Sequence, residues 1–591
     1  MPASTSAARP CAAQKIKSRT PSAMQLNDKT ALTGSVARID SSTFAASVAG
    51  VIVTVSAAKA AASYCDVPVM VFLLPAAVFA LLWFYASDRR WVAALAATVA
   101  LLIATALVSN WLPDPTWDGN MYHKVALVAL HDGWNPWRFP EFSDWLKAQS
   151  ALEYSDKVWS SNIAASWISH YPNISWLFGA ALMDYGFGWE STKAIGTMMA
   201  VAIFFRSFSV FRQWIGRRAA SAILAVCVVL CQPLLAQITT NYVDGITYAL
   251  FVLIMLALLD QERGTANRIT VWCSLILLAG LKFTGALYGA LLAVPFLFVY
   301  RPRFREMLLW GAIGLATLSH PYLNHVVSGL PIGYPVTTGN QILAGQAEQA
   351  MLDQSRPQAL LTSLFSKVSN DFAMPGLKIP GSVRSREIAM SGVPDTRYSG
   401  FGPLFSLAAL LGLVAGVAAA VRAYWMNGWR DPTWKLHACI GFLLVLALIH
   451  AAPWWARYVP FLQFALVVAL LAGIRTGPSW ARGVAVAGAF ILVVNGAMVL
   501  MGAGSYIHRA SVEGGVAVDR QIIHRHLRGE SVVIRAPAFM GFPAIYHARE
   551  VLHLDSIDYQ AVSLDKLDCD GREELGTWIA LVKFCRGEMQ P

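Results

Sequence analysis

Asp118 lies between Trp117 and Gly119, with Tyr122 and His123 four and five residues further on. If the segment starts a helix, these spacings bring a carboxylate, a phenol and an imidazole near one another. A carboxylate so placed suits general-base work, taking a proton from a hydroxyl. A second acid, Asp244, stands in Asn241-Tyr242-Val243-Asp244-Gly245 at the mouth of an apolar run. It has two readings: a cap for the helix beginning there, or a site residue with Tyr242 beside it. Two cations complete the set, Lys282 in "GLKFTGAL" and Arg457 in "PWWARYVP". Paired with carboxylates they would be structural; aimed at a ligand they would hold a phosphate.

The elements that must position these residues are apolar. The chain has 591 residues, 56% hydrophobic and 14% charged. Soluble domains carry roughly 25% charged residues, so the composition predicts an all-α polytopic membrane protein. A span needs about 20 apolar residues. Candidate spans fall near 45–63, 68–87, 91–112, 190–212, 219–238, 244–260, 269–283, 286–300, 308–326, 402–421, 435–452, 458–474 and 483–503. Arg89 and Arg90, Arg217 and Arg218, Arg263 and Arg268, Arg301 to Arg305, Arg422 to Lys435, and Arg475 and Arg482 recur between them. The positive-inside rule puts all of these in the cytoplasm. A single helix over 269–300 would send Arg301 outside, so a hairpin of two short helices is predicted there.

That topology makes 113–189, 327–401 and the tail from 505 extracytoplasmic. Lys282 and Arg457 then lie on the wrong side, in short external turns. A misplaced cation is costly without a partner and marks a functional site; the alternative is an outer-leaflet anchor that snorkels. The first loop also holds Asp114, Asp132, Glu141, Asp144, Glu153 and Asp156.

"PTWDGNMYH" resembles the first external loop of GT-C membrane glycosyltransferases, in particular bacterial relatives of the family 39 protein mannosyltransferases. "HYPNISWLFGAAL", "NYVDGITYAL", "GLKFTGALYGALL", "GLPIGYP", "GFGPLF" and "ARYVPFLQFAL" extend the similarity, in order, from about 111 to 475. The resemblance implies transfer of a sugar from a polyprenyl-phosphate donor to a lipid, glycan or protein acceptor, at the outer face of a bacterial cytoplasmic membrane. The family's catalytic aspartate matches Asp118. Lys282 and Arg457, with Tyr122 and Tyr242 nearby, are then expected to bind substrate. Asp244 and His123 are catalytic candidates, His123 orienting Asp118, meeting the acceptor or merely packing. No metal ligand is assigned, although a divalent cation is compatible with the chemistry.

The competing function is a secondary transporter or lipid-linked glycan flippase, in which intramembrane charges line a path. The acids and cations gather at the outer rim instead of the midplane, and no two-fold repeat is visible. Basic residues form no single face, so nucleic acid is not an expected partner. HExxH, Walker-type and GxGxxG patterns are absent, as is any CxxC pair among the eight cysteines. His320, His325, His437 and His450 read as packing residues.

Three regions follow: 1–44 as a disordered cytoplasmic tail, 45–504 as the membrane domain, and 505–591 as a small extracytoplasmic α/β region. Within 327–401, "QAEQAMLDQ" and "PQALLTSLFSKVSNDF" are predicted amphipathic helices. Cys569 and Cys585 are the only cysteines after 505. A bridge between them would close a loop of about 15 residues, worth ~3 kcal/mol. Spacing alone leaves two free thiols equally open.

Overall fold

The computed structural model describes residues 40–77, 88–148, 162–331, 348–537, 541–554, 557–562, 566–578 and 582–589. Nearly all of the predicted tail, residues 78–87 of the second predicted span, Glu153, Asp156 and most of "GLPIGYP" lie outside these residues. The described residues are mostly helical. Among the described residues, six helices are long and apolar enough to cross a membrane: Ser41–Cys65, Arg89–Ser109, Trp189–Ile215, Phe283–Tyr300, Phe405–Met426 and Ser479–His526. Six shorter apolar helices accompany them, including Asp244–Leu259, Thr265–Leu281 and Leu462–Thr476. Rows of exposed apolar side chains such as Val99, Ile103 and Leu107 recur at helical spacing. A large exposed apolar surface is unfavourable in water, so the architecture is compatible with a helical membrane protein.

Two short helices sit at the centre because they are apolar all round. Every residue from Leu462 to Gly473 is buried, as is nearly all of Asp244–Leu259. Phe251 of one stacks on Phe461, which precedes the other, at 4.7 Å. Small residues then let Phe405–Asn427 and Ser479–Ile507 close in on Leu462–Thr476. A methyl at Gly473 would meet Ala415 at 2.8 Å and Ala485 at 3.0 Å.

Three sequence expectations change. Residues 41–44, read as tail, are the first turn of Ser41–Cys65, capped by Asp40. The predicted span 219–238 is two helices, Arg218–Val229 and Gln232–Gln237. Pro233 supplies no backbone N–H at the break, and the buried Gln232 and Gln237 amides donate to Ser391, Val393 and Pro394 carbonyls at 3.0–3.1 Å. The second predicted amphipathic helix runs only over Arg356–Leu364, opened by a Ser355/Gln358 capping box. Beyond it the chain folds on itself through bridges Ser366↔Leu377 and Ser369↔Tyr398 and the helix Ser385–Ser391. Tyr398 and Met351 are fully buried against Trp454 and Trp455. The described part of the long loop is thus a packed body.

The 269–300 hairpin is present as Thr265–Leu281 and Phe283–Tyr300, which meet at an extended Lys282. Trp272 and Phe296 close it at 5.1 Å.

After Ser479–Ile507 the chain stays helical through His526 and then forms a four-stranded sheet. Its strands are β1 (Glu530–Ala536), β2 (Ile557–Ala561), β3 (Glu574–Trp578) and β4 (Val582–Met589), in the order β2-β1-β4-β3. The β1/β2 pair is parallel and the other two are antiparallel. Cys569 and Cys585 are bridged, with Cα atoms 5.6 Å apart. The sheet shares a core with the first long loop: Ile534 and Phe584, with Ile522 of the preceding helix, cluster with Val125, Leu127 and Leu130, while Val533 and the two bridged cysteines form a small cluster of their own. Trp189 stacks near Tyr546 at 4.9 Å across the same junction.

Candidate functional site

Asp118 opens a five-residue π-helical turn, Gly119–His123, and makes no capping hydrogen bond there. The turn is held from behind by Asp114, which is fully buried. Asp114 accepts from Thr116 N at 2.9 Å and Thr116 Oγ1 at 2.7 Å through one oxygen. Its other oxygen accepts from Asn241 N at 2.7 Å and Asn241 Nδ2 at 2.9 Å. One acid of the first loop therefore ties that loop to the turn carrying Tyr242 and Asp244. Gly119 is required at this point, since a Cβ would run into the Asp114 carboxylate and Thr116 Oγ1.

Asp244 is the first residue of its helix, yet its side-chain hydrogen bonds among the described residues go to other side chains and not to the helix's own N–H groups. It accepts instead from Lys282 Nζ at 2.6 Å and Gln237 Nε2 at 3.3 Å. Arg457 Nε lies 3.0 Å from its second oxygen. Arg457 also reaches Asp118, Nη2 to Oδ2 at 3.6 Å, and donates through Nη1 to Asp395. Both cations lie over aromatic faces that suit a positive charge: Lys282 4.5 Å from Tyr458, and Arg457 4.8 Å from Tyr242. Their side chains are only 14% and 11% exposed. Neither points outward as an interfacial anchor.

The structure thus brings Asp118, Asp244, Lys282, Arg457 and Tyr242 into one cluster, from four separate segments. It is graded in depth: Asp244 is 3% exposed, whereas Asp118 and Asp395 are each 24% exposed. Burial lifts the Asp118 carboxyl from its usual 3.8 to about 6; Arg457 opposes the rise, and the neighbouring Asp395 and Asp244 charges add to it. An acid near 6 is poised to gain or lose a proton near neutrality.

Tyr122 and His123 flank the cluster. Tyr122 is buried in an aromatic group, stacked on Trp167 at 5.5 Å and edge-on to Tyr171 at 6.1 Å. His123 Nδ1 accepts from Trp176 Nε1 at 2.7 Å. Indole is only a donor, so the neutral imidazole carries its proton on Nε2. Burial drives the His123 pKa down to about 3, which keeps it neutral.

Glu141 does not join this group; it pairs with His170 at 3.2 Å. His320 and His325 lie on one helix, Phe304–Val327, where His325 meets the His170 ring at 5.3 Å. Among the described residues no group of three or more His, Cys, Asp or Glu is arranged to hold a metal ion.

Sequence reasoning missed Asp395, Gln237 and Tyr458. Gln237 links the acids, donating to both Asp244 and the Pro394 carbonyl. Asp395 carried no sequence signal of its own, lying two residues before Arg397 in a polar stretch of a loop read there as external. Chemically, the cluster offers a carboxylate that can take a proton, beside two cations that could stabilise an anionic oxygen. No family model, no curated protein and no solved structure matches the chain.

Proposed function

We propose that the chain is a GT-C-like glycosyltransferase of thirteen membrane spans, moving a sugar from a polyprenyl-phosphate donor to an envelope acceptor. The observation that carries this reading is the convergence of Asp118, Asp244, Lys282 and Arg457 on one another. Two of these are the cations that break the positive-inside pattern. An internal ion-pair role alone leaves unexplained why Asp118, unlike Asp244, is partly exposed.

In this reading Asp118 takes the proton of the acceptor hydroxyl as its oxygen attacks C1 of the sugar. The bond from C1 to the phosphate oxygen breaks, and its electron pair stays on the lipid phosphate. Arg457 and Lys282 stabilise that charge. Asp244, too deep to meet substrate, aims the two cations, so its catalytic effect is indirect. The shared core of the first long loop and the C-terminal sheet supports a reading with both on one side of the membrane. With three spans before residue 113, that side is extracytoplasmic and the N-terminus is cytoplasmic.

The test is incubation of the purified protein with a panel of labelled polyprenyl-phosphate sugars and extracted envelope acceptors. The reading expects label to pass to an acceptor from one donor of the panel. Label that stays on the lipid throughout contradicts it.

A further inference from the structure

Arg457 has three nitrogens directed at three carboxylates, but they are not equally engaged. Nε lies 3.0 Å from Asp244 yet is buried without an aligned hydrogen bond, and Nη2 stands 3.6 Å from Asp118. Among the described residues, the aligned hydrogen bond of this guanidinium is the one from Nη1 to Asp395. The acids also differ in what else holds them. Asp244 is fixed by Lys282 and Gln237 and is almost fully buried. Asp395 is 24% exposed, and its second oxygen has Arg397 Nη2 at 4.0 Å. Asp395 can therefore turn from one guanidinium to the next, while Asp244 cannot leave.

Arg397 is prepared for that exchange. Its Nη1 donates to Asn370 O at 2.7 Å and Asn370 Oδ1 at 3.1 Å, and its guanidinium lies 4.1 Å from the Phe372 ring. Both residues belong to the folded segment that packs on Trp454 and Trp455. Asp395 is thus a carboxylate that this segment inserts onto a cation of the candidate site.

We infer that Asp395 is the resident counterion of Arg457, occupying the guanidinium edge that a phosphate must take, so that phosphate binding turns Asp395 toward Arg397 and loosens segment 385–401. The inference rests on the proposed phosphate-binding role of Arg457. A phosphate oxygen pair matches the guanidinium fork at least as well as a carboxylate, so the exchange is a competition between two anions for one cation. Asp395 is a positioning residue: it holds Arg457 in place when the site is empty and lowers the affinity for phosphate.

The test uses the full-length purified protein with farnesyl phosphate as probe. Asp395→Asn removes the competing charge and keeps the shape, so farnesyl phosphate is expected to bind about tenfold more tightly, the size of one charge-assisted contact. The gain should vanish in an Arg457→Met background. Asp371→Asn, which breaks an exposed pair with Arg386 in the same segment, should leave binding unchanged. Loss of a merely structural contact would weaken binding or leave it alone, and either result overturns the inference. A second readout needs no variant: amide hydrogen exchange in 385–401 should speed up when wild-type protein binds farnesyl phosphate, and added protection there would overturn the exchange. Wild-type protein that does not bind the probe would remove the phosphate-binding reading itself, a result distinct from unchanged binding in Asp395→Asn.

Discussion

A carboxylate titrating at about 6 is mostly ionised at neutral pH and still basic enough to accept a proton in a transition state. The direction of the pH effect follows. If Asp118 is the base, kcat/KM falls about tenfold per unit below pH ~6 and levels off above it. Stability moves the other way. The folded-state pKa lies above the ordinary 3.8, so the folded chain binds more protons between those values and loses stability as pH rises through that window. Asp395→Asn removes a like charge, so the acidic limb of its rate profile should shift to lower pH; a limb that stays in place in both proteins would detach Asp395 from Asp118. The cations make a separate prediction. Lys282→Met and Arg457→Met should each weaken donor binding, and Arg457→Lys should restore it only in part, because an ammonium lacks the guanidinium fork. Normal donor KM values in both Met variants would return these residues to a structural role.

Position in this site depends on close backbone approaches as much as on charge. Gly392 lies against Gly502 and Ala503 of the helix Ser479–Ile507, where an added methyl would overlap their backbone atoms. Gly392→Ala should push the helix Ser385–Ser391 away, move Asp395 off Arg457, and destabilise the fold by about 1–3 kcal/mol. Thermal unfolding of the variant checks the stability term, and an unchanged midpoint would show that the contact yields. This contact also explains what was legible in the sequence and what was not. Lys282 and Arg457 could be found because they break a charge pattern spread over the whole chain, and Asp118 because its neighbours Trp117, Tyr122 and His123 are unusual for a connecting loop. Asp395 could not. "SGVPDTRYSG" reads as an ordinary polar turn, and its place is set by glycines more than a hundred residues apart and by the Gln232 and Gln237 amides. Those same glutamines sit where one apolar run, 219–238, gives way to two helices, a break visible only once their carbonyl partners are known.

The helical core, the folded long loop and the C-terminal sheet meet around the first long loop. Leu127 and Leu130 share a core with the sheet, while Asp118 a few residues earlier faces the cluster. The bridge of Cys569 and Cys585 ties β4 to the segment preceding β3. On the proposed topology, thirteen spans from a cytoplasmic N-terminus would leave these cysteines outside, where a disulfide persists. A membrane-impermeant thiol reagent, applied to intact cells after mild reduction and partial loosening of the sheet, should label them; labelling that requires permeabilised membranes would reverse the topology and move the candidate site to the cytoplasm. The measurement that bears most directly on the whole account is sugar transfer from the labelled donor by the intact purified protein with Asp118→Asn as its one change. The account predicts turnover lower by ~10²–10⁴-fold, with unfolding behaviour retained. Transfer at the wild-type rate in that variant would contradict it.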